Sequence, residues 1–164
     1  MTESRLFTLV SGTVKVAATT TPFVARDHFV ENIRREAPVK IFYVADVFKE
    51  WFLGKEEKPF EGAFLRYNEL SFSSVDGFII AELGGEVETT LAELFLLMER
   101  QKNSGKRSPL KTDGSNVFYI RDGNGVLRAV FARWSCGSWR VGANSVANPR
   151  GQRRGHRIFS RDSR

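Results

Sequence analysis

The sequence predicts an α+β protein in which two or three helices pack on an antiparallel sheet with a C-terminal β-meander. Apolar residues recur at helical spacing before residue 101, and tight-turn residues separate short β-type runs after residue 116. A hydrophobic content of 41% is enough for one core in 164 residues. We therefore expect a single domain over 1–164, helix-rich at about 19–101, with a loop at 102–115 and strands at 116–161.

The N-terminal part predicts a strand and then a helix. β-branched and aromatic residues favour an extended segment from Leu6 to Ala17, which Ser11-Gly12 interrupts with a bulge or a turn. Thr21-Pro22 then begins a helix, because proline at the first helical position costs no backbone hydrogen bond. Apolar residues at near-helical spacing continue this helix from Phe23, and Pro38 ends it.

A second strand and helix follow. Val39 to Val44 is a short β-type run, and Asp46 begins an amphipathic helix that Gly54 ends. The helix carries an aromatic stripe of Phe48, Trp51 and Phe52. At this spacing we interpret the stripe as a core face, with a partner-binding face as the alternative.

The secondary structure of the middle of the chain is only partly assigned by the sequence. Periodicity does not assign Phe60 to Phe72, and Ser74 to Leu83 fits either a capped helix or a buried strand. Thr90 can cap a helix that runs from Leu91 to about Gln101. Glycine, proline and three basic residues then predict a flexible loop from Asn103 to Asp113.

The last part predicts antiparallel strands. Asp122 to Gly125 supplies the positive φ angles of a tight hairpin turn between strands 117–121 and 126–134. A second turn at Ser135 to Ser138 leads into Trp139 to Val146. A final short strand, Arg157 to Arg161, completes a meander of three or four strands.

Charge is distributed unevenly along the chain. Residues 1–127 hold 16 Lys and Arg against 18 Asp and Glu, a net charge of −2, whereas residues 128–164 hold nine Arg against Asp162, a net charge of +8. Guanidinium groups bind carboxylates and phosphates with two hydrogen bonds and stack on aromatic rings. The C-terminal part therefore indicates an acidic partner.

We expect the arginine-rich part to form the contact surface of a non-catalytic binding domain, and its partner is an acidic protein surface or nucleic acid. Phosphate contacts by arginines, with Trp134 and Trp139 nearby for stacking, would suit a nucleic-acid-binding module. In the alternative interpretation the arginines pair with the acidic first part and both tryptophans are core residues. The residues assigned to the surface are Arg140, Arg150, Arg153, Arg154, His156, Arg157 and Arg161.

Catalytic, metal and cofactor patterns are weak. Gly123-Asn124-Gly125 lies in a hairpin turn and lacks the strand-to-helix context of a nucleotide-binding loop. Cys136 follows Arg133 without a nearby histidine and acid, and His28 falls within a predicted helix. The acids Glu82, Glu86, Glu88 and Glu93 follow no metal-loop spacing and fit a solvated face. We expect no enzyme, no metal and no cofactor.

The setting expected from composition is cytoplasmic. Cys136 is the one cysteine, so no intramolecular disulfide can form, and a reducing compartment fits this best. No stretch approaches the roughly 20 apolar residues that cross a bilayer. We therefore expect no membrane partner.

Several motifs together resemble a group of uncharacterised small proteins from candidate-phylum bacteria, over about residues 23–161. The motifs are Phe48 to Leu53, Glu82 to Glu86, Phe118 to Ala129, Trp139-Arg140-Val141 and Arg157 to Arg161. The resemblance implies no activity, cofactor or site residue. It departs from the group at Arg150, Arg153 and Arg154, where those sequences often carry an aromatic residue and glycines.

Overall fold

The computed structural model describes residues 5–104 and 109–162, and in these residues the chain forms ten strands and four α-helices. The strands are β1 (Phe7–Val16), β2 (Phe23–Val24), β3 (Ile41–Val44), β4 (Glu56–Glu57), β5 (Ala63–Leu70), β6 (Glu88–Thr89), β7 (Ser115–Arg121), β8 (Leu127–Ser135), β9 (Ser138–Ser145) and β10 (Arg157–Arg161). The helices are α1 (Ala25–His28), α2 (Asp46–Phe52), α3 (Asp76–Leu83) and α4 (Leu91–Ser104). A 3-10 turn at Gly84–Glu86 follows α3.

Eight strands form one mixed sheet in the order β1-β5-β10-β7-β8-β9-β3, and the short β6 pairs with β7. Strand β10 is parallel to β7 and antiparallel to β5, and β3 is parallel to β9. The remaining two strands, β2 and β4, pair with each other. The molecule is therefore an α+β protein built mainly from sheet.

The predicted fold class, with two or three helices on an antiparallel sheet ending in a β-meander, is wrong. The sheet is mixed, and β1, β3 and β5 from the first part are among its strands. The last strand does not continue the meander beside β9, because it inserts between β5 and β7. Periodicity within a segment does not show which strand lies beside it. The error therefore concerns the pairing of the strands.

The two faces of the sheet bury different helices. Phe118, Val130, Trp139 and Phe159 pack with residues of α2 and α4, on what we call the α4 face. The neighbouring positions along the same strands point the other way and pack with Ile79 of α3, on the α3 face. This alternation follows from the period of two along a strand, which places successive side chains on opposite faces.

The predicted N-terminal helix is wrong beyond one turn. Only Ala25–His28 is helical, and Phe23 and Val24 pair instead with Glu57 and Glu56 of β4. Val30 and Ile33, which the helical pattern assigned to a buried face, are 44% and 63% exposed. Since no core lies beside them, burial does not support a longer helix there.

The predictions for α2 and α4 are confirmed. Phe48 and Phe52 of α2 are fully buried, so the aromatic stripe is mainly a core face. At α4, Thr90 Oγ1 accepts the Glu93 backbone N–H at 3.3 Å and Glu93 Oε1 accepts the Thr90 N–H at 2.9 Å. This capping box satisfies two backbone donors at the start of the helix. In the undecided stretch Ser74 to Leu83, residues 76–83 form the helix α3, and residues 63–70 form β5.

The connection from β9 to β10, residues 146–156, crosses the α3 face of the sheet. Gln152 in this connection donates a hydrogen bond to Asp76 of α3 at 3.0 Å, and Ser74 and Gln152 form an isolated bridge. Its arginines Arg150, Arg153 and Arg154 therefore lie on that face and are exposed. We call residues 146–156 the arginine connection.

Residues 105–108 of the predicted flexible loop lie outside the described residues. Within the part of the chain that the structure describes, no helix is long and apolar enough to span a membrane.

Candidate binding surface

The structure divides the C-terminal arginines into ion-paired and unpaired groups. Arg157 is paired: its Nη2 lies 2.6 Å from Glu69 Oε2, and its guanidinium carbon lies 4.7 Å from the centroid of the Tyr67 ring. Lys111 Nζ approaches the same carboxylate at 3.3 Å. Burial works against ionisation of Glu69, but hydrogen bonds from Arg157 and Lys111 outweigh it and hold the Glu69 pKa below its usual value.

Arg161 is paired as well, with the buried Glu93 of α4 at 2.7 Å. Burial raises the pKa of Glu93, and the nearby Arg161 offsets only part of that rise. Glu93 is thus part of the core with 0% exposure, not of a solvated face as the sequence suggested. Arg157 and Arg161 therefore form ion pairs with acids in the first part of the chain, as the alternative interpretation expects.

Arg140 belongs to the unpaired group and lies in a row across neighbouring strands. Arg140 of β9 is the partner of Tyr43 on β3 and of Arg133 on β8. Arg133 is in turn the partner of Ser115 on β7. Arg157, the first residue of β10, pairs with Asn116 of the parallel β7. His156 therefore lies beside Ser115 and continues the row. We call Tyr43, Arg140, Arg133, Ser115 and His156 the arginine row.

The row lies on the α3 face. Trp139 and Val141 flank Arg140 along β9 and point into the α4-face core, so Arg140 points to the opposite face. Arg133 and Arg140 are both exposed, and the Arg140 guanidinium carbon lies 5.2 Å from the centroid of the Tyr43 ring. Adjacent strands are roughly 4.8 Å apart, so the row spans roughly 19 Å across five strands.

Five arginines on this side form no ion pair with any described residue. They are Arg133, Arg140, Arg150, Arg153 and Arg154. Two of them are directly opposite one another in the β8–β9 ladder, where like charges destabilise the pairing. An anion placed between them would relieve this repulsion.

An aromatic ring adjoins the row. Phe131, two residues before Arg133 on β8, points to the same face and is partly exposed. Its ring covers Gly142 on β9, because a Cβ atom at that glycine would lie 2.4 Å from Phe131 Cζ. The absence of a side chain at Gly142 therefore lets Phe131 lie flat on the sheet beside Arg133 and Arg140.

His156 lies where several positive charges converge. Burial lowers its pKa, and Arg133, Arg153 and Lys111 lower it further. Lys111 is close by, since its Nζ donates to the Gly155 carbonyl at 2.7 Å. The imidazole is thus held toward its neutral form by a local excess of cations.

A buried hydrogen-bond network holds the arginine connection to the sheet and to α3. The Tyr119 hydroxyl donates to Asp76 Oδ1 at 2.6 Å, and Gln152 Nε2 donates to the same oxygen. His156 Nδ1 lies 3.0 Å from Gln152 Oε1 and 3.3 Å from the Arg153 backbone nitrogen, so the imidazole is held against the arginine connection. Burial raises the pKa of Asp76, which is 1% exposed, although both hydrogen bonds lower it.

Other residues considered from the sequence lie elsewhere. Trp139 is buried and Trp134 packs against the α4-face core with its ring centroid 5.1 Å from that of Trp139, so neither ring joins the arginine row. Cys136 is exposed in the β8–β9 turn at a φ of 51°. His28 lies on the α4 side of the molecule, where it stacks on Phe23.

The sequence did not assign Tyr43, Phe131 and Arg133 to the surface. A signal existed for Arg133, since a turn centred on Cys136 and Gly137 pairs position 133 with position 140. No sequence signal pointed to Tyr43, because the parallel pairing of β3 with β9 joins residues far apart in the chain. The same holds for the network of Asp76, Tyr119 and Gln152.

The chain matches no protein-family model, no curated protein and no solved structure. Among the described residues, no group of three or more His, Cys, Asp or Glu side chains is arranged to hold a metal ion.

Proposed function

We propose that the protein is a non-catalytic binding domain that contacts an anionic partner through the arginine row and the arginine connection. The observation that carries this proposal is the cross-strand pair Arg133 and Arg140, exposed and without an acidic partner among the described residues. Unpaired guanidinium groups on a flat surface favour association with carboxylates or phosphates. Arg150, Arg153 and Arg154 extend the positive surface. Arg157 and Arg161 support it structurally through their ion pairs.

A non-catalytic role is supported by the burial of the acid-base groups near the surface. Asp76 is hydrogen-bonded to Tyr119 and Gln152, and burial keeps it away from any bound molecule. His156 Nδ1 is engaged with Gln152. These groups hold the arginine connection in place, which is a positioning role.

The second candidate is a nucleic-acid-binding module, favoured by the aromatic rings beside the arginines. Tyr43 is exposed and Phe131 is partly exposed on the same face as Arg133 and Arg140. Open sheet faces that bind single strands combine aromatic rings for base stacking with cations for phosphates. An acidic protein surface would use the cations but has no need of the rings.

The experiment is binding of the protein to labelled single- and double-stranded oligonucleotides at low and moderate salt. In the Arg133→Ala/Arg140→Ala variant, we expect weaker binding and a shallower dependence on salt, by about 1.4 in the log–log slope for two single-strand phosphate contacts. The control is Arg34→Ala/Arg35→Ala, which removes the same charge from exposed positions outside the surface.

The outcomes separate the two candidates. Salt-sensitive binding that is lost in the row variant and retained in the control supports the nucleic-acid module. If no oligonucleotide binds, binding to polyglutamate and to acidic proteins tests the general proposal. Equal loss in both variants, or no effect of the row variant on any anionic partner, contradicts it.

A further inference from the structure

A cavity of about 500 Å³ lies between the segment 19–39 and helix α4. It is lined by apolar residues that include Phe23 and Phe95 and by the polar residues Asp27, His28 and Glu99. Cavities of this size hold small organic ligands. Phe23 and Phe95 belong to the α4-face core, whereas the arginine row lies on the α3 face, so the cavity is separate from the proposed binding surface.

The imidazole of His28 is fixed within this cavity. Its ring stacks on Phe23 at a centroid distance of 4.1 Å and meets the edge of Phe95 at 4.9 Å. His28 Nδ1 lies 2.8 Å from the Val24 carbonyl oxygen, which only accepts hydrogen bonds, so Nδ1 carries the proton. In the neutral ring Nε2 is therefore an acceptor, and it has no partner among the described residues.

The charge of the cavity is opposite to that of the whole chain. Asp27 and Glu99 contribute two carboxylates to its lining, and no lysine or arginine lines it. Neither carboxylate forms an ion pair with any described residue. In a protein of net charge +6, two acids without partners beside an acceptor nitrogen form a local negative site.

A bare metal ion does not fit these groups. His28, Asp27 and Glu99 are not close enough to surround one ion, since the described residues contain no metal-type cluster. The acceptors are spread along a cavity that also has an aromatic wall. This arrangement suits a cation that carries its own apolar body.

We propose that this cavity binds a small organic cation, a protonated amine attached to a short apolar or aromatic group. An N–H of the ammonium group donates to His28 Nε2, while Asp27 and Glu99 attract its charge. The apolar body packs against Phe95 and neighbouring apolar residues of the lining. Neutral and anionic molecules of the same shape lack one or both polar contributions and bind more weakly.

The test uses 2-phenylethylamine as the probe, with 2-phenylethanol and 3-phenylpropionate as neutral and anionic counterparts. The protein has two histidines, His28 and His156, so their imidazole signals can be assigned and followed by NMR. We expect a saturable shift of the His28 signal with the amine. The His156 signal, on the other face of the sheet, should not follow the same curve.

Variants show whether charge selects the ligand. In Asp27→Asn/Glu99→Gln the affinity for the amine should fall by roughly fivefold or more, the effect of losing two solvent-facing charge contacts. The control Glu50→Gln/Glu56→Gln makes the same charge change at exposed positions outside the cavity and should leave the affinity unchanged.

Either of two results overturns the proposal. The first is that the amine, the alcohol and the carboxylate shift the His28 signal equally, or that the amine gives no saturable shift. The other is an equal loss of affinity in the cavity variant and in its control. The oligonucleotide experiments are unaffected by these results, so the two proposals stand or fall separately.

Discussion

The Tyr119 hydroxyl and the Asp76 carboxylate are joined by a 2.6 Å hydrogen bond that connects β7, in the middle of the sheet, to the first turn of α3. Gln152 shares the same carboxylate oxygen. One buried acid therefore holds together the sheet, the helix and the arginine connection. The other oxygen of Asp76 has no hydrogen-bond partner among the described residues.

Removal of this hydroxyl should destabilise the fold. In Tyr119→Phe the buried Asp76 loses one of its two donors, and an unsatisfied buried group costs about 1–3 kcal/mol. Denaturant unfolding measures the change. Tyr43→Phe serves as the control, since its ring is exposed, and a similar loss in both variants would contradict a structural role for the Tyr119 hydroxyl.

The same carboxylate predicts a pH dependence of stability. Because burial raises the Asp76 pKa above 3.8, the folded state holds the proton to higher pH than the unfolded state does. Asp76 therefore lowers the free energy of unfolding as the pH rises from 3.8 through its folded pKa. Asp76→Asn cannot ionise, so its stability relative to the wild type should increase with pH across this window.

Unfolding of both proteins from about pH 4 to about pH 7 measures this difference. Glu93, Glu69 and Asp122 also titrate with shifted pKa values, but they are present in both proteins and cancel in the comparison. A difference that stays constant with pH would show that Asp76 does not carry the effect.

The arginine row should be detectable through the titration of His156. Arg133 and Arg153 lower its pKa, so Arg133→Ala/Arg153→Ala should raise it toward 6.5. NMR of the imidazole signal measures the shift. Arg34→Ala/Arg35→Ala, which removes distant charges, should leave the His156 signal in place. A bound polyanion should raise the same pKa in the wild type, because it neutralises the two arginines.

Gly151 fixes the position of the arginine connection. It adopts a φ of +53°, and an added Cβ would lie 2.3 Å from the Ser74 carbonyl oxygen, which is backbone and cannot rotate away. Gly151→Ala should displace the connection and weaken anion binding although every arginine is kept. The check is the oligonucleotide or polyglutamate titration together with denaturant unfolding.

Gly77 provides the matched control for Gly151. It lies in α3, and an added Cβ would meet nothing within 4 Å. Gly77→Ala should therefore stabilise the protein by about 0.5–1 kcal/mol, since alanine loses less backbone entropy in a helix. If Gly151→Ala and Gly77→Ala changed stability in the same direction, the steric role of Gly151 would be contradicted.

The pair of Arg161 and Glu93 should matter more for stability than the exposed arginines do. Arg161→Met leaves the Glu93 carboxylate buried without a cation, a loss of about 3–5 kcal/mol. Adding Glu93→Gln should recover part of it, because the charge is then gone. Arg140→Met at an exposed position should change the unfolding free energy by about 0.5 kcal/mol or less. Similar losses for Arg161→Met and Arg140→Met would contradict the assignment.

Local elements were predictable because their signals lie in adjacent residues. The turn Asp122 to Gly125 fixed the β7–β8 hairpin, and the Thr90–Glu93 box fixed the start of α4. The bounds of β10 were also correct. In each case the interacting groups are separated by a few residues, so a short stretch of sequence includes both of them.

Long-range pairings escaped prediction for the converse reason. Nothing in Arg157 to Arg161 indicates that this strand separates β5 from β7. The predicted arginine set did not include Arg133, and it included Arg157 and Arg161, which pair with acids on the α4 side. A basic run shows how much charge is present, whereas the alternation of faces decides which arginines reach a partner.

The position of β10 has a consequence for how the chain acquires its structure during synthesis. Its two neighbours come from distant parts of the chain, β5 from residues 63–70 and β7 from residues 115–121, and β6 covers the β7 edge only at Tyr119 and Ile120. Open strand edges are sites of intermolecular association. The sheet therefore cannot join β5 to β7 until residues 157–161 have left the ribosome, and until then these strand edges are exposed to association with other chains.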